Sequence, residues 1–123
     1  MIILFYENCL SMIQNAATWV CDGTFKSAPS GFSQVFIIHF SYHQEFMLLL
    51  YVLLPGKSLS DYNRMICEVK SLLLNQFKIK NLICDFEISI RLAFKNNFPG
   101  INILHCLFHF GQILWRNLAK NHL

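Results

Sequence analysis

Residues 17–25 read ATWVCDGTF, an apolar run of the kind that forms a buried β-strand, and the run stops at Asp22. A second run, residues 81–87, reads NLICDFE and stops in the same way at Asp85. A carboxylate at the end of a buried strand is held at the rim of a sheet. If the two strands are neighbours, the carboxylates can share divalent ions, since Mg²⁺ is usually bound by one or two carboxylates plus waters and substrate phosphates.

This pair of aspartates has two interpretations. Two metals held by carboxylates stabilise the attacking and leaving oxygens of phosphodiester chemistry, which makes Asp22 and Asp85 candidate catalytic ligands. Aspartate is also common at helix N-caps and in turns, so the pair could be structural. The residue types do not choose between these interpretations, and the order of the surrounding elements has to decide.

The composition is that of one hydrophobic domain. Of the 123 residues, 54% are apolar, 15% aromatic and 14% charged, which excludes a disordered chain. The longest apolar run, residues 46–54, is too short to span a bilayer, and residues 1–6 lack the basic start of a secretory leader. Twelve Phe side chains predict exposed apolar surface, which favours a missing downstream helical region or self-association as a homo-oligomer.

The cysteines and the charges bear on compartment and partner. The five cysteines are odd in number and form no CxxC motif, so we expect no disulfide framework and an intracellular rather than a secreted protein. Residues 64–123 carry eight basic and three acidic side chains. This half of the chain either faces phosphates or forms an ordinary solvated helix surface, and the charge pattern leaves both open.

Hydrophobic periodicity predicts the element order βββαβαβα. The predicted elements are strands at 17–22, 32–40 and 46–54, a helix at 60–77, a strand at 82–85, a helix at 87–97, a strand at 101–106 and a helix from residue 108. Short links favour an antiparallel meander for the first three strands, and strand–helix–strand links favour parallel crossovers. The predicted fold is α/β: a ribonuclease H-like mixed five-stranded sheet with helices on its faces, in which Asp22 and Asp85 meet at one edge.

Several motifs in a fixed order carry a family resemblance. They are residues 19–26 (WVCDGTFK) with Pro29, Phe32 and Gln34, residues 51–55 (YVLLP) with Tyr62, residues 85–87 (DFE) with Ala93, Phe98 and Pro99, and residues 106–109 (CLFH) with Gln112, Trp115 and Arg116. From about residue 17 to residue 120, the chain resembles the transposase core of Mutator-like elements, the MULE transposase domain. This domain often accompanies FLYWCH-type zinc fingers.

The resemblance implies a DDE-type nuclease and strand transferase that acts on transposon DNA ends in the nucleus. It implies that Asp22 and Asp85 bind Mg²⁺ or Mn²⁺, and that Cys106 and His109 form the family's C-x-x-H motif. The third carboxylate of such a site is a downstream Glu. After Asp85 this chain offers only Glu87, which is not where the family's third acid belongs.

The expected organisation is therefore a lead-in at residues 1–16 and a partial transposase core at residues 17–123, without the third carboxylate and the zinc finger region. We expect such a core to be inactive alone. The alternative function is a domesticated, non-catalytic DNA- or protein-binding module derived from a transposase.

The C-terminal residues add two weaker expectations. Arg116 and Lys120 could contact DNA, or belong to a solvated helix face. The C-x-x-H pair with nearby histidines could bind zinc, but a structural zinc site needs four nitrogen or sulfur ligands in tetrahedral array, so we do not expect zinc.

Overall fold

The computed structural model of the protein describes residues 1–85 and 87–105, residue 105 by its backbone alone. The elements in chain order are β1 (Ile2–Phe5), a 3-10 turn (Glu7–Cys9), α1 (Leu10–Ile13), β2 (Thr18–Thr24), β3 (Gln34–Tyr42), β4 (Glu45–Leu54), α2 (Leu59–Leu72), β5 (Asn81–Cys84), α3 (Ile88–Asn97) and β6 (Asn102–His105). The helix predicted from residue 108 lies outside the described residues.

The strands form one mixed sheet in the order β1-β4-β3-β2-β5-β6. Strands β1 to β4 pair antiparallel, whereas β5 is parallel to both β2 and β6. The α/β class and the mixed sheet are as predicted, and β2 lies between β3 and β5. Among the described residues, no helix is both long and apolar enough to cross a membrane.

The predicted number of five strands is wrong, because the described sheet has six. The additional strand, β1, pairs with β4 at the sheet edge, with Ile2 opposite Leu53 and Phe5 opposite Leu50. Residues 2–5 are uniformly apolar and lack the alternation that marks a half-buried strand. Their partner lies far along the chain, so local pattern carried no signal for this pairing.

The link between β3 and β4 is a tight hairpin, as the short polar segment predicted. His43 and Gln44 occupy the turn with φ values of 47° and 66°. Positive φ at both central residues is the requirement of a type I′ turn, whose twist matches that of the flanking strands. The hairpin therefore sets the register in which Tyr42 lies opposite Glu45.

Helix α2 begins at a capping box and ends earlier than its apolar periodicity predicted. The Ser58 hydroxyl accepts a hydrogen bond from the Asp61 backbone N–H, and the Asp61 carboxylate accepts one from the Ser58 backbone. The helix stops at Leu72 because Leu74 and Asn75 adopt left-handed conformations, with φ values of 53° and 56°. Phe77 thus belongs to the core but not to the helix.

One face of the sheet packs against α2 and α3 around an aromatic cluster. Trp19 of β2 is fully buried, and its ring centroid lies 5.6 Å from that of Phe98 and 6.2 Å from that of Phe77, both edge to face. The Lys70 ammonium lies 5.3 Å from the Phe98 ring centroid and donates a hydrogen bond to the Asn97 carbonyl. Phe77 precedes β5 and Phe98 follows α3, so this cluster holds both ends of the β5–α3 segment against β2.

Strands β2 and β3 approach closely at Gly23. This glycine lies opposite Phe36, and a Cβ atom at this position would collide with Oε1 of the buried Gln34 side chain. The only glycines of the described chain with positive φ are Gly31 and Gly100, so the space around Gly23, rather than its backbone conformation, requires glycine here.

Replacing Trp19 with alanine should lower the free energy of unfolding by about 3–5 kcal/mol, because a fully buried aromatic side chain is lost and a cavity remains. Urea denaturation followed by circular dichroism measures the change. Phe46→Ala removes an exposed aromatic side chain and should change stability by no more than about 0.5 kcal/mol. Equal losses in the two variants would contradict the core position of Trp19.

Gly23→Ala should destabilise the protein by about 1–3 kcal/mol, because the added methyl group overpacks the space filled by Gln34. The collision partner can be removed in a double-mutant cycle. In a Gln34→Ala background, the same Gly23→Ala change should cost much less. An unchanged cost in that background would mean that backbone strain, not the Gln34 side chain, excludes alanine.

Candidate functional site at the carboxylate rim

Parallel pairing brings the two aspartates to the same level of the sheet. Val20 of β2 is the register partner of Ile83 of β5, so two residues further along, Asp22 and Asp85 occupy equivalent positions. Both side chains are half-buried. That the two side chains approach each other extends this register by two residues and stays a prediction.

The two paired strands differ in length at this edge of the sheet. Strand β5 ends at Cys84, whereas β2 continues to Thr24 and stays paired with β3, with Asp22 opposite Ile37. Asp22 therefore lies inside the strand rather than at its last residue, where the sequence placed it. Past Cys84 the ladder between β2 and β5 stops, and Asp85 begins the connection to α3. We call this region, with Asp22, Asp85 and Glu87, the carboxylate rim.

Electrostatics around the buried Cys21 thiol support this juxtaposition. Burial raises the pKa of Cys21 well above its ordinary value, its hydrogen bond with Cys84 raises it further, and the carboxylates of Asp85 and Asp22 add to the effect. Asp85 is distant from Cys21 in sequence, so it acts on this thiol through space. The Cys21 thiol accordingly stays protonated and serves as a core side chain rather than a nucleophile.

Glu87 interacts with Asp85 and with Tyr62 of α2. Its backbone N–H donates a hydrogen bond of 3.0 Å to Asp85 Oδ1, and its own Oε1 accepts one of 3.0 Å from the Tyr62 hydroxyl. Burial raises the pKa of Glu87, the Tyr62 hydrogen bond opposes this, the Asp85 carboxylate raises the pKa further, and Lys57 lowers it. Glu87 is thus part of the same electrostatic environment as Asp85.

Two buried polar side chains connect Glu87 to the core. Gln34 of β3 and Tyr62 of α2 are both fully buried, and Gln34 Nε2 donates to the Tyr62 hydroxyl at 2.9 Å and to the Gly56 carbonyl at 3.1 Å. Burial raises the pKa of Tyr62 above its usual range; the Gln34 hydrogen bond opposes this, and Glu87 and Asp85 raise it further. The phenol is therefore a hydrogen-bond donor at every physiological pH.

Sequence analysis assigned Gln34 and Tyr62 no role beyond their positions in the family motifs. Tyr62 fell in the apolar stripe of a helix and Gln34 in an alternating strand, so each looked like an ordinary member of its element. One signal was available: glutamine rarely points into a core unless its amide has partners there. A glutamine at a core-facing position of β3 was therefore the sequence signal for the buried network.

The rim also exposes an aromatic and a cationic side chain. The Lys57 ammonium lies 5.5 Å from the centroid of the Phe25 ring, and Phe25 is about half exposed, at 50%. Lys57 also lowers the pKa of Glu87, so its charge acts on this carboxylate.

The donor atoms at the rim suit a hard divalent cation better than zinc. Carboxylate oxygens are typical ligands of Mg²⁺ and Mn²⁺, whereas structural zinc sites use four nitrogen or sulfur ligands. Within residues 1–85 and 87–105, no group of three His, Cys, Asp or Glu side chains is placed to hold a metal ion. Two aspartates at one level fit a metal that takes its remaining ligands from water and substrate phosphates.

The other predicted site residues lie outside the described residues. They are the C-x-x-H pair, Cys106 and His109, and the candidate DNA contacts, Arg116 and Lys120. Their roles stay predictions.

Comparison with known families agrees with the sequence resemblance. The family model described as the MULE transposase domain matches residues 18–112, which covers more than half of the chain and includes β2 through β6. Among curated proteins, none matches the sequence significantly. On the extent of the family match, together with the element order and the carboxylate rim, the chain belongs to the MULE transposase domain family.

Proposed function

We propose that this chain forms part of the catalytic core of a Mutator-like DNA transposase, in which Asp22 and Asp85 bind a divalent metal for phosphodiester cleavage and strand transfer. The observation that carries the proposal is that Asp22 and Asp85 each lie two residues beyond the same register pair, Val20 and Ile83, where β5 ends beside β2. Family membership supports a transposase-related function, a divalent metal and DNA as the partner. Action on transposon DNA in the nucleus follows from the same family.

The topology supports a ribonuclease H-like core. Within the six-stranded sheet, β4-β3-β2-β5-β6 consists of three antiparallel strands followed by two parallel strands reached through helical connections. This is the strand order expected for that fold, with β1 added at the edge. The fold accounts for a carboxylate on the central strand and another directly after its parallel neighbour.

In this proposal the protein binds and orients, and the metal supplies Lewis-acid stabilisation of the attacking and leaving oxygens. Asp22 is held by strand pairing on β2, while Asp85 is held by the backbone N–H of Glu87. Lys57, whose charge acts on Glu87, would attract the phosphate backbone. The exposed Phe25 ring offers a surface on which an unpaired base can stack.

A second candidate function is a non-catalytic DNA-binding module. The observation that favours it is the lack, within the described residues, of a third metal-ligating side chain grouped with the aspartates. Such a module would keep the fold and the DNA contacts but would not cleave DNA.

The wild-type chain should bind Mn²⁺, and Asp22→Asn or Asp85→Asn should each abolish binding, because each amide removes one of the two anionic ligands. Isothermal titration calorimetry measures the affinity, and circular dichroism confirms that the variants fold. Glu68→Gln removes an exposed carboxylate on α2 and serves as the matched control, with wild-type affinity expected. Binding that is insensitive to both aspartate substitutions would contradict a shared metal site.

DNA binding and DNA cleavage should separate in the Asp22→Asn variant. Binding to duplex DNA should survive this change and weaken as salt rises, since cationic contacts to phosphates carry it. Any residual nicking of supercoiled plasmid that the wild-type chain shows in Mn²⁺ should be lost in this variant. Gel-shift and nicking assays on the same preparations test both expectations.

Metal binding and nicking together distinguish the two candidate functions. Nicking that Asp22→Asn abolishes favours the catalytic core, whereas a wild-type chain that binds DNA but neither binds Mn²⁺ nor nicks favours the non-catalytic module. Equal nicking by wild type and Asp22→Asn would contradict the catalytic role of Asp22.

A further inference from the structure

A chain of hydrogen bonds links four segments of the protein to Asp85. Gln34 Nε2 donates to the Gly56 carbonyl and to the Tyr62 hydroxyl, at 3.1 Å and 2.9 Å. The Tyr62 hydroxyl donates to Glu87 Oε1 at 3.0 Å, and the Glu87 backbone N–H donates to Asp85 Oδ1 at 3.0 Å. The chain therefore runs from the core of the sheet, through α2, to the carboxylate rim.

The anchored end of this chain is rigid. Gln34 and Tyr62 are fully buried, and the Tyr62 ring packs 5.8 Å from the Phe36 ring between α2 and the sheet. Glu87 and Asp85, in contrast, lie in the half-buried connection between β5 and α3. The only tie from α2 to this connection among the hydrogen bonds of the described residues is the one between Tyr62 and Glu87.

The same chain also reaches the strand that carries Asp22. Gln34 Oε1 is buried, has no hydrogen-bond partner among the described residues, and fills the space where a Cβ of Gly23 would lie. Gly23 directly follows Asp22 in β2. One glutamine side chain therefore packs against the residue that follows Asp22 and, through Tyr62 and Glu87, is connected to Asp85.

We propose that Tyr62 is a positioning residue that, through Glu87, fixes the orientation of the Asp85 carboxylate toward the metal. The inference rests on the proposed function. The hydrogen bond from the Glu87 backbone to Oδ1 sets the rotation of the Asp85 carboxylate, and so the direction of its second oxygen. Tyr62 holds the residue that makes this bond. Groups that orient a metal ligand in this way commonly change metal affinity without touching the metal.

This role differs from direct ligation by Glu87. In the positioning role, the Glu87 side chain acts as a hydrogen-bond acceptor for Tyr62, so a neutral amide oxygen can replace its carboxylate oxygen. A direct ligand would need the negative charge. Glutamine and alanine at position 87 therefore separate the two roles.

The test is Mn²⁺ titration calorimetry on the wild type and on Tyr62→Phe, Glu87→Gln and Glu87→Ala. Tyr62→Phe removes only the hydroxyl and should weaken Mn²⁺ affinity by about 10–100-fold, as loss of an orienting partner does. Glu87→Ala should weaken it to a similar degree, and Glu87→Gln should stay close to wild type. Tyr51→Phe, a change of the same kind on the exposed side of β4, is the matched control and should have no effect.

A second readout does not depend on metal. Hydrogen exchange of the backbone amide at position 87, followed by NMR in metal-free buffer, should accelerate in Tyr62→Phe and in Glu87→Ala. Exchange in the core of β3 should not change. A role of Tyr62 in stability alone would lower the melting temperature but would leave both the Mn²⁺ affinity and this local exchange rate unaltered. If Tyr62→Phe does not fold, Glu87→Ala, which alters a partly exposed side chain, still tests the link.

The outcomes separate this inference from the proposed function. Mn²⁺ binding that depends on Asp22 and Asp85 but not on Tyr62 overturns the positioning role and leaves the metal site standing. Equal losses in Glu87→Gln and Glu87→Ala also overturn it, in favour of direct ligation. A wild-type chain that binds no Mn²⁺ overturns the proposed function and this inference with it. Loss in Tyr62→Phe and Glu87→Ala, with Glu87→Gln and Tyr51→Phe near wild type, supports the positioning role.

Discussion

Parallel hydrogen bonding between β2 and β5 is the constraint on which the carboxylate rim depends. The register runs from Thr18 opposite Asn81 to Val20 opposite Ile83, and the backbone N–H groups of Lys80 and Asn81 both donate to the Ala17 carbonyl where the pairing begins. Because side chains alternate between the two faces of a sheet, a register slip of one residue would move every side chain of a strand to the opposite face. The burial of Trp19 between the sheet and the helices opposes any such slip.

The unequal lengths of the paired strands create the site. A fully matched partner for β2 would cover the backbone edge beside Asp22, but β5 has four residues and β2 has seven. Strand β3 continues to hold β2 over this extension, whereas the ladder to β5 ends before it among the described residues. A strand held on one side keeps the position of a carboxylate defined, and a metal that binds there takes further ligands from water and substrate.

The buried polar network explains how a connection as short as that between β5 and α3 can be held in place. Its backbone leaves the sheet after Cys84, so ladder hydrogen bonds no longer fix it. A polar group in a core needs partners, and Gln34 and Tyr62 supply them to each other and to Glu87. Gln34 also fits closely against Gly23, so the network requires a residue without a side chain at position 23 as well as hydrogen-bonding partners. Polar burial here serves the geometry of the rim, while the aromatic cluster around Trp19 supplies the apolar core.

Much of the fold followed from the sequence alone because its signals are local. Period-2 alternation and apolar runs predicted β2 to β6, the 3.6-residue period predicted α2 and α3, and the order of these elements led to a mixed sheet with β2 in its centre. The two aspartates stood out because each follows an apolar run. The motif order led to the MULE transposase domain, and the family match over residues 18–112 confirms that assignment.

Only the tertiary structure decided the remaining features, since they depend on contacts between distant segments. The pairing of β1 with β4, the end of α2 at Leu72 and the position of Asp22 within its strand have no signature in local periodicity. The same holds for the link from Gln34 through Tyr62 to Glu87, which joins a strand, a helix and a connection that are far apart in the chain. A linear pattern reports which face a residue prefers, but hydrogen-bond partners are set by three-dimensional packing. For this reason the sequence determined the elements and the aspartates, and the packing of α2 and α3 on the sheet decided how the rim is held.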